Sequence, residues 1–271
     1  MARTIAAAIA APPVARVVVP TSGTGPENHG SFCAVSLADG STGLAYVLLG
    51  DTRRRLERSD AAARVGRDAL SLIEGITGDD PAARSLGLAA LNALSRHVFD
   101  RAGFVPDLAS SSFGSLALGA GDRLGMVGYF PPLVERARQA GIPLTVLELK
   151  EELVEDAPDL RVTLDPAGLA GCTHIVCTST VLLNDTLDDV LGFARGAREL
   201  AIVGPSAGFV PDPLFRRGVT SIGGAWVVDP ADLATRVGRG ERFGAASRKF
   251  SLRRDGWQGL DALLARAAGC R

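Results

Sequence analysis

The chain has 271 residues, of which 46% are hydrophobic, enough for one large domain or two smaller ones with packed cores. Its 29 lysines and arginines nearly balance 30 aspartates and glutamates, and the net charge of −1 argues against a nucleic-acid-binding surface. No apolar run reaches the roughly 18 residues that span a bilayer, so we expect no membrane partner. The cysteines show no CxxC spacing, which favours reduced thiols in a cytoplasmic protein; they are Cys33, Cys172, Cys177 and Cys270.

The first fifty residues predict a helix followed by three strands. The alanine-rich N-terminal stretch predicts a helix leading into a strand over 14–19, rather than a signal peptide, because Arg16 soon interrupts its apolar character. Phe32–Leu37 and Gly43–Leu48 are rich in β-forming residues and flank an Asp-Gly turn signal, which is the pattern of a hairpin.

Helical patterns and a linker follow the hairpin. Residues 51–58 are polar and arginine-rich and predict a solvated connection, and helices are predicted over 61–76 and 82–99. Strands followed by helices are typical of an α+β domain. Residues 101–121 are rich in Gly and Ser and predict an inter-domain linker. We therefore predict an α+β domain over 1–110 and a second domain with a C-terminal tail over 111–271.

Beyond residue 122 short apolar runs alternate with helical patterns. Five strands are predicted, at 123–130, 144–149, 174–178, 199–203 and 220–228. Helices are predicted over 131–140 and 230–237, the first opening on two prolines, which a first helical turn tolerates. This alternation requires a mainly parallel sheet with crossover helices, so we predict a Rossmann-like α/β domain.

The stretch Thr173–Leu191 has the clearest strand–loop–helix pattern. A buried apolar run ends in the small hydroxyl residues Thr178–Thr180, and a helical pattern begins after Thr186. Asn184 or Asp185 can cap that helix. In open α/β sheets such a loop lies at the carboxyl edge, where ligands bind.

Several segments are similar to those of a known family. They are Gly128–Pro131, Val146–Glu148, Thr178–Leu187, Gly204–Ser206, the hairpin 31–46 and the helical segment Ser85–Ala93. Together they resemble a family named for heavy-metal chelation, first described as a domain of unknown function. The resemblance implies a Rossmann-like domain preceded by a smaller companion similar in fold to the amino-terminal domain of enolase. The family often has glycine where this chain has Ser179.

Polar residues and glycines at the strand ends are candidates for a site in a cleft between the two domains. Glu148, Asn184 and Ser206 are the candidate catalytic residues because they converge on one sheet edge. Neutral donors and acceptors at this edge suit a carboxylate or an amide, and the turn 204–206 suits an anion. The candidate ligand contacts are Gly128, Phe130, Thr178, Thr180, Gly204, His29 and Lys249. The alternatives are a solvated loop for Glu148, a helix cap for Asn184 and a solvated tail for Lys249.

The sequence predicts neither a protein metal site nor a dinucleotide site. The three histidines, His29, His97 and His174, show no ligand spacing, which disfavours structural zinc. Any metal handled by the protein is therefore expected to arrive held by a small organic ligand. Gly128-Tyr129-Phe130 does not form a GxGxxG fingerprint, so a dinucleotide is not expected, and the cofactor stays unknown, with a chelated metal ion as one option.

Two functions from different classes are compatible with this pattern. The first is an enzyme that carries out a lyase, transfer or cyclisation step on a polar, amino-acid-like or metal-chelating compound. The second is a non-catalytic protein that binds a metal chelate or a small metabolite in the same cleft. Both predict a small-molecule partner, and the oligomeric state is left open, with a homo-oligomer as one option.

Overall fold

The protein is described from a computed structural model that covers residues 1–21, 31–108, 118–119 and 121–269. Its strands are β1 (Val14–Val18), β2 (Phe32–Leu37), β3 (Thr42–Tyr46), β4 (Leu124–Val127), β5 (Leu144–Leu147), β6 (Glu155–Asp156), β7 (Leu160–Thr163), β8 (His174–Thr178), β9 (Glu199–Val203), β10 (Ser221–Val227) and β11 (Ser247–Arg253). Its helices are α1 (Ala2–Ala8), α2 (Thr52–Arg58), α3 (Ala69–Ile73), α4 (Pro81–Arg101), α5 (Pro131–Gln139), α6 (Leu187–Phe193), α7 (Asp212–Phe215), α8 (Pro230–Gly238) and α9 (Leu260–Gly269).

A small antiparallel sheet packs against the longest helix. Strands β1, β2 and β3 are neighbours in that order, as the hairpin pattern predicts. Helix α4 begins with Asp80 as its N-cap and Pro81 in its first turn, and its alanines and leucines are buried on most sides. Gly43 in β3 lies so near the α4 backbone that a Cβ there would overlap Ala89 and Ala93. The small sheet and α4 therefore pack backbone to backbone.

The second half of the chain forms an eight-stranded sheet in the order β11-β10-β9-β8-β4-β5-β7-β6. Strands β10, β9, β8, β4, β5 and β7 run parallel, and β11 and β6 join the two edges antiparallel. The predicted α/β class with a mainly parallel sheet is confirmed. The chain moves outward from β4 through β5 to β7, then returns to β8 and moves outward the other way. The topological switch point lies between β4 and β8, and ligands bind at such points in open α/β sheets.

Three predictions about local structure were wrong. Most of the segment 51–58 forms α2, with Asp51 as its N-cap, because Leu56 is buried and ion pairs link successive turns. The helix predicted over 61–76 is interrupted, since the amide of Gly66 donates to Val14 O and the amide of Val14 to Arg67 O. The segment around Lys249 is an edge strand rather than a tail, because Phe250 and Leu252 pack into the core.

The core is shared between the two sheets. One continuous cluster of buried side chains runs from β2, β3 and α4 to one face of the large sheet, including Ile175, Ile202 and Phe250. The opposite face of the large sheet packs on α5. The division into domains at residues 110 and 111 stays a prediction, and residues 109–117 and 120 of the predicted linker lie outside the described residues. In the part of the chain that the structure describes, no helix is long and apolar enough to cross a bilayer.

Candidate functional site

A cleft of about 520 Å³ opens at the switch point, at the carboxyl edge of the large sheet. The large sheet and its loops contribute Val127–Phe130, Leu147–Lys150, Thr178–Val181, Asn184, Thr186, Val190 and Val203–Pro205. The small sheet contributes Phe32, Tyr46, Leu48 and Leu49. The ends of β4 and β8 meet at its floor, where a Cβ on Gly128 would lie 3.2 Å from Thr178 Cγ2. The cleft is therefore built from residues of both halves of the chain.

Most side chains on the cleft walls are apolar or aromatic. Phe32 and Tyr46 meet edge to face with ring centroids 5.6 Å apart. At the mouth, Tyr129 is 37% exposed and Leu149 is 73% exposed, both high for such large apolar side chains. Burial raises the pKa of the Tyr46 phenol, a group that is already protonated at neutral pH in water. Such walls suit a ligand with an apolar or ring-like body.

The turn between β4 and α5 has no amide to offer a phosphate. The amide of Gly128 donates to Leu147 O at 2.9 Å, that of Tyr129 to Glu148 Oε1 at 2.6 Å and that of Phe130 to Met126 Sδ at 3.3 Å. The next two residues are prolines and have no N–H. Nucleotide-binding Rossmann proteins use the amides of this turn and the following helix N-terminus for the pyrophosphate. The geometry disfavours a nucleotide here.

Glu148 lies at the end of β5 and lines the cleft, as predicted, but both its oxygens already have partners. Oε1 accepts from the Tyr129 amide, and Oε2 accepts from the Leu149 amide at 3.1 Å. A carboxylate that accepts from two backbone amides makes charge-assisted hydrogen bonds and fixes the two loops to each other. Glu148 therefore supplies negative charge to the cleft and orders its rim.

Hydroxyl and amide groups line the β8 side of the cleft. The Thr180 amide and hydroxyl both donate to Thr178 Oγ1, at 3.4 and 3.2 Å, which closes the turn after β8. Asn184 Oδ1 accepts from the Thr186 hydroxyl at 2.7 Å and from the Thr186 amide at 3.4 Å. The N-cap position of α6 belongs to Thr186, so Asn184 forms a local turn rather than the cap. The Asn184 amide nitrogen donates to no described residue, and Asn184 lines the cleft.

Ser206 does not reach the cleft. Its side chain is fully buried, and its hydroxyl accepts a hydrogen bond from the Tyr46 amide at 3.0 Å. The amides of Gly204 and Ala207 donate to Gly223 O and Gly204 O, and Pro205 has no N–H, so these positions offer no amide to an anion. Gly204 does line the cleft. It has φ of 140°, and a side chain there would overlap Ser179 Oγ.

The other predicted contacts divide into two groups. Gly128, Phe130, Thr178 and Thr180 line the cleft with Glu148, Asn184 and Gly204. Lys249 does not, because it pairs with Ala225 in the edge strand β11. His29 lies outside the described residues. The prediction therefore placed most of its residues at one site, although it included one buried and one distant side chain.

Sequence reasoning missed the wall formed by the small sheet. Phe32, Tyr46, Leu48 and Leu49 belong to the predicted hairpin and the residues after it, where their types favour a strand or core. The one signal available was the family resemblance of the hairpin itself. Tyr129 and Lys150 stand beside predicted site residues and were also missed.

Family models match most of the chain. The family described as "Putative heavy-metal chelation" matches residues 112–254, and a second model with the same description matches residues 30–95. The chain belongs to this heavy-metal chelation family. An uncharacterized protein of Methanocaldococcus jannaschii is 28% identical over 216 residues, which are 78% of this chain and 80% of the relative.

Two solved structures of family members share the fold. A protein of unknown function from Desulfitobacterium hafniense is 21% identical with a TM-score of 0.69, over 93% of this chain and 97% of that one. A protein of unknown function from Pyrococcus horikoshii is 18% identical with a TM-score of 0.64, over the same shares. At these identities the likeness establishes the fold alone.

Within the ranges that the structure describes, the thiols and imidazoles of this family member are not arranged to chelate a bare metal ion. Among the described residues, no group of three or more His, Cys, Asp or Glu side chains could hold a metal. Burial raises the pKa of the Cys33 thiol to about 12 and also raises the pKa of Cys177, so neither is a ready thiolate ligand. His97 pairs with Asp39 at 2.6 Å, and His174 contacts Thr173 at the opposite edge of the sheet.

Proposed function

We propose that this protein binds a small organic ligand in the cleft, and that the ligand is a metal chelate whose own atoms hold the metal. Membership of the heavy-metal chelation family supports the link to metal. The observation that carries the proposal is an apolar, aromatic cleft at the switch point with no metal-binding side-chain cluster among the described residues. A chelate whose organic part is apolar or aromatic presents that surface outward, and such walls bind it through burial.

The polar groups of the cleft would orient the chelate. Thr178, Thr180 and Asn184 offer neutral donors and acceptors that can pair with the carbonyl, carboxylate or amide groups of the chelator. The Glu148 carboxylate lies in the same cleft and favours a ligand whose charge is neutral or positive. These polar contacts would set the orientation of the chelate, while burial of its apolar surface would supply most of the binding energy.

Binding without chemistry is the leading interpretation because the predicted catalytic groups are not assembled. Glu148 accepts from two amides, and Ser206 lies behind the floor with its hydroxyl bound to Tyr46. A general base must reach the proton that it abstracts, and a nucleophile must face the substrate. Ser206 has no access to the cleft.

The test compares a bare metal with its complex. Calorimetric titrations would use Zn²⁺ alone, 8-hydroxyquinoline alone and the zinc–8-hydroxyquinoline complex, whose flat aromatic body resembles the ligand that we infer. We expect saturable binding of the complex and none of Zn²⁺ alone. Tight stoichiometric binding of bare Zn²⁺ would overturn the proposal. It would also be overturned if the complex does not bind and native mass spectrometry of protein purified without an affinity tag finds no retained ligand.

A matched pair of variants locates the site. Leu48→Glu puts a charge on the cleft wall, at a side chain that is 39% exposed. Val65→Glu makes a similar change at a side chain that is 50% exposed and does not line the cleft. We expect only Leu48→Glu to weaken binding of the complex. Equal effects of the two variants would contradict the location.

A catalytic step on the bound ligand is the second candidate. The observation that favours it is the Tyr46 phenol, which lines the cleft and is protonated at neutral pH. Such a phenol can donate a hydrogen bond to a developing oxyanion. The ligand retained during purification would be incubated with the wild type and with Tyr46→Phe. Conversion by the wild type alone supports an enzyme, and an unchanged ligand mass with both proteins supports binding only.

A further inference from the structure

The loop that carries Asn184 is held by a side chain from the other half of the chain. Arg84 of α4 is only 13% exposed and donates to Leu183 O at 3.1 Å and to Asp185 Oδ2 at 2.7 Å. Its other terminal nitrogen donates to Gly78 O at 2.9 Å, which anchors the guanidinium on the α4 side. One planar group therefore joins the loop before α6 to the segment before α4.

The backbone at Asp185 is in a conformation that needs such support. Its φ is 61°, and in the described ranges it is the one residue other than glycine with positive φ. Asp tolerates this left-handed conformation better than most residues, although it remains uncommon. Its carboxylate faces Arg84, while the next residues on either side, Asn184 and Thr186, line the cleft.

The contacts of Arg84 with Leu183 O and Asp185, which we call the clamp, also have an energetic cost. Arg84 Nε is buried without an acceptor, and a buried unpaired donor destabilises the folded state. The guanidinium therefore donates to Leu183 O and Asp185 Oδ2 in a position where its Nε–H group has no acceptor.

We propose that Arg84 is a positioning residue for the ligand site: it locks the turn 183–185 so that the free amide of Asn184 faces the cleft. The inference rests on the proposed function for the role of that amide. It assigns a site role to a side chain that does not itself line the cleft, and it makes α4 part of the binding apparatus.

The first arm of the test needs no ligand. The chain has three asparagines, Asn28, Asn92 and Asn184, so their side-chain amide signals can be assigned by nuclear magnetic resonance. Arg84→Met should move the Asn184 signals and leave those of Asn92, which α4 also carries, in place. Arg217→Met, which breaks an exposed pair with Asp188 on α6, should leave both unchanged. Unchanged Asn184 signals in Arg84→Met would overturn the inference.

The second arm uses the zinc–8-hydroxyquinoline complex. Arg84→Met should weaken its binding about fivefold, the scale of the one neutral hydrogen bond that the Asn184 amide would give the ligand. In an Asn184→Ala background the same change should have no further effect, because Arg84 acts through Asn184. Asp185→Gly, in which glycine accepts the left-handed backbone, provides a well-folded variant that lacks the pair. A further fivefold loss in the Asn184→Ala background would indicate a general structural role and sink the proposal.

The two arms separate the two proposals. If the wild type fails to bind the complex while the Asn184 signals move in Arg84→Met, the proposed function fails for this ligand and the clamp stands. If the complex binds and the signals do not move, the function stands and the positioning role fails.

Discussion

Asn92 offers the sharpest test of how the two sheets are joined. It lies in α4, is 3% exposed, and has three hydrogen bonds to other parts of the chain. Its amide nitrogen donates to Leu44 O at 2.7 Å and to Ser206 O at 2.9 Å, and its oxygen accepts from the Gly208 amide at 3.2 Å. Asn92→Ala would leave two carbonyls and one amide without partners.

The expected loss follows from those partners. Each buried polar group left unpaired costs about 1–3 kcal/mol, and water can reach part of the site, so Asn92→Ala should lower the free energy of unfolding by about 3–6 kcal/mol. Ser95→Ala, three residues further along the same helix, is the matched control. Its hydroxyl accepts only from the Val210 amide, at 3.1 Å, and its loss should cost about 1–2 kcal/mol.

Urea unfolding followed by circular dichroism gives the free energy of unfolding of each protein. The slope of that free energy against urea concentration should be the same for the wild type and both variants. A loss below about 1 kcal/mol for Asn92→Ala, or one no larger than that of Ser95→Ala, would refute the claim that this side chain holds the sheets together.

Three further predictions concern other parts of the fold. Burial opposes the charge of Asp39, but hydrogen bonds from His97 and Ser41 outweigh burial and lower the pKa of the carboxyl in the folded protein. The ionised Asp39 therefore stabilises the fold above about pH 4, the pKa of an unfolded aspartate, and this contribution is lost as the pH falls through the lower pKa of the folded state. Asp39→Asn should therefore reduce stability to urea at pH 7, and the difference from the wild type should shrink in acid; a constant difference would contradict this. Gly204→Ala should destabilise by about 2 kcal/mol or more through overlap with Ser179 Oγ and backbone strain. Adding Ser179→Gly should restore part of that loss, and no recovery would show that the overlap is not the cause. Because α4 bonds to both sheets, fluorescence and circular dichroism should report one unfolding transition, and two separate ones would show that the predicted domains are independent.

Residues with a regular local pattern were predictable from the sequence. The hairpin was found from two β-rich runs around an Asp-Gly turn and β8 from a short buried apolar run, and the parallel sheet followed from the alternation of strands and helices. Strands β7 and β11 were missed because charged residues interrupt them: Arg161 lies between Leu160 and Val162, and Arg248 and Lys249 precede Phe250.

The site was only partly predictable, because side-chain direction depends on distant contacts. Parallel strands bring their carboxyl ends together, which is why Glu148, Thr178 and Asn184 were expected at one edge. Whether Ser206 faces the cleft depends on the backbone of Tyr46, 160 residues earlier in the chain. The clamp on Asp185 likewise depends on Arg84, 101 residues away. Neither partner leaves a local signal.

The turn after β4 has a consequence for competition between ligands. Nucleotides are polyanions, and Rossmann-type sites bind them through free backbone amides. Here the turn holds two prolines, amides already donated within the protein and the carboxylate of Glu148. Discrimination against nucleotides would therefore be built into the turn itself and would need no contact with the ligand that we propose.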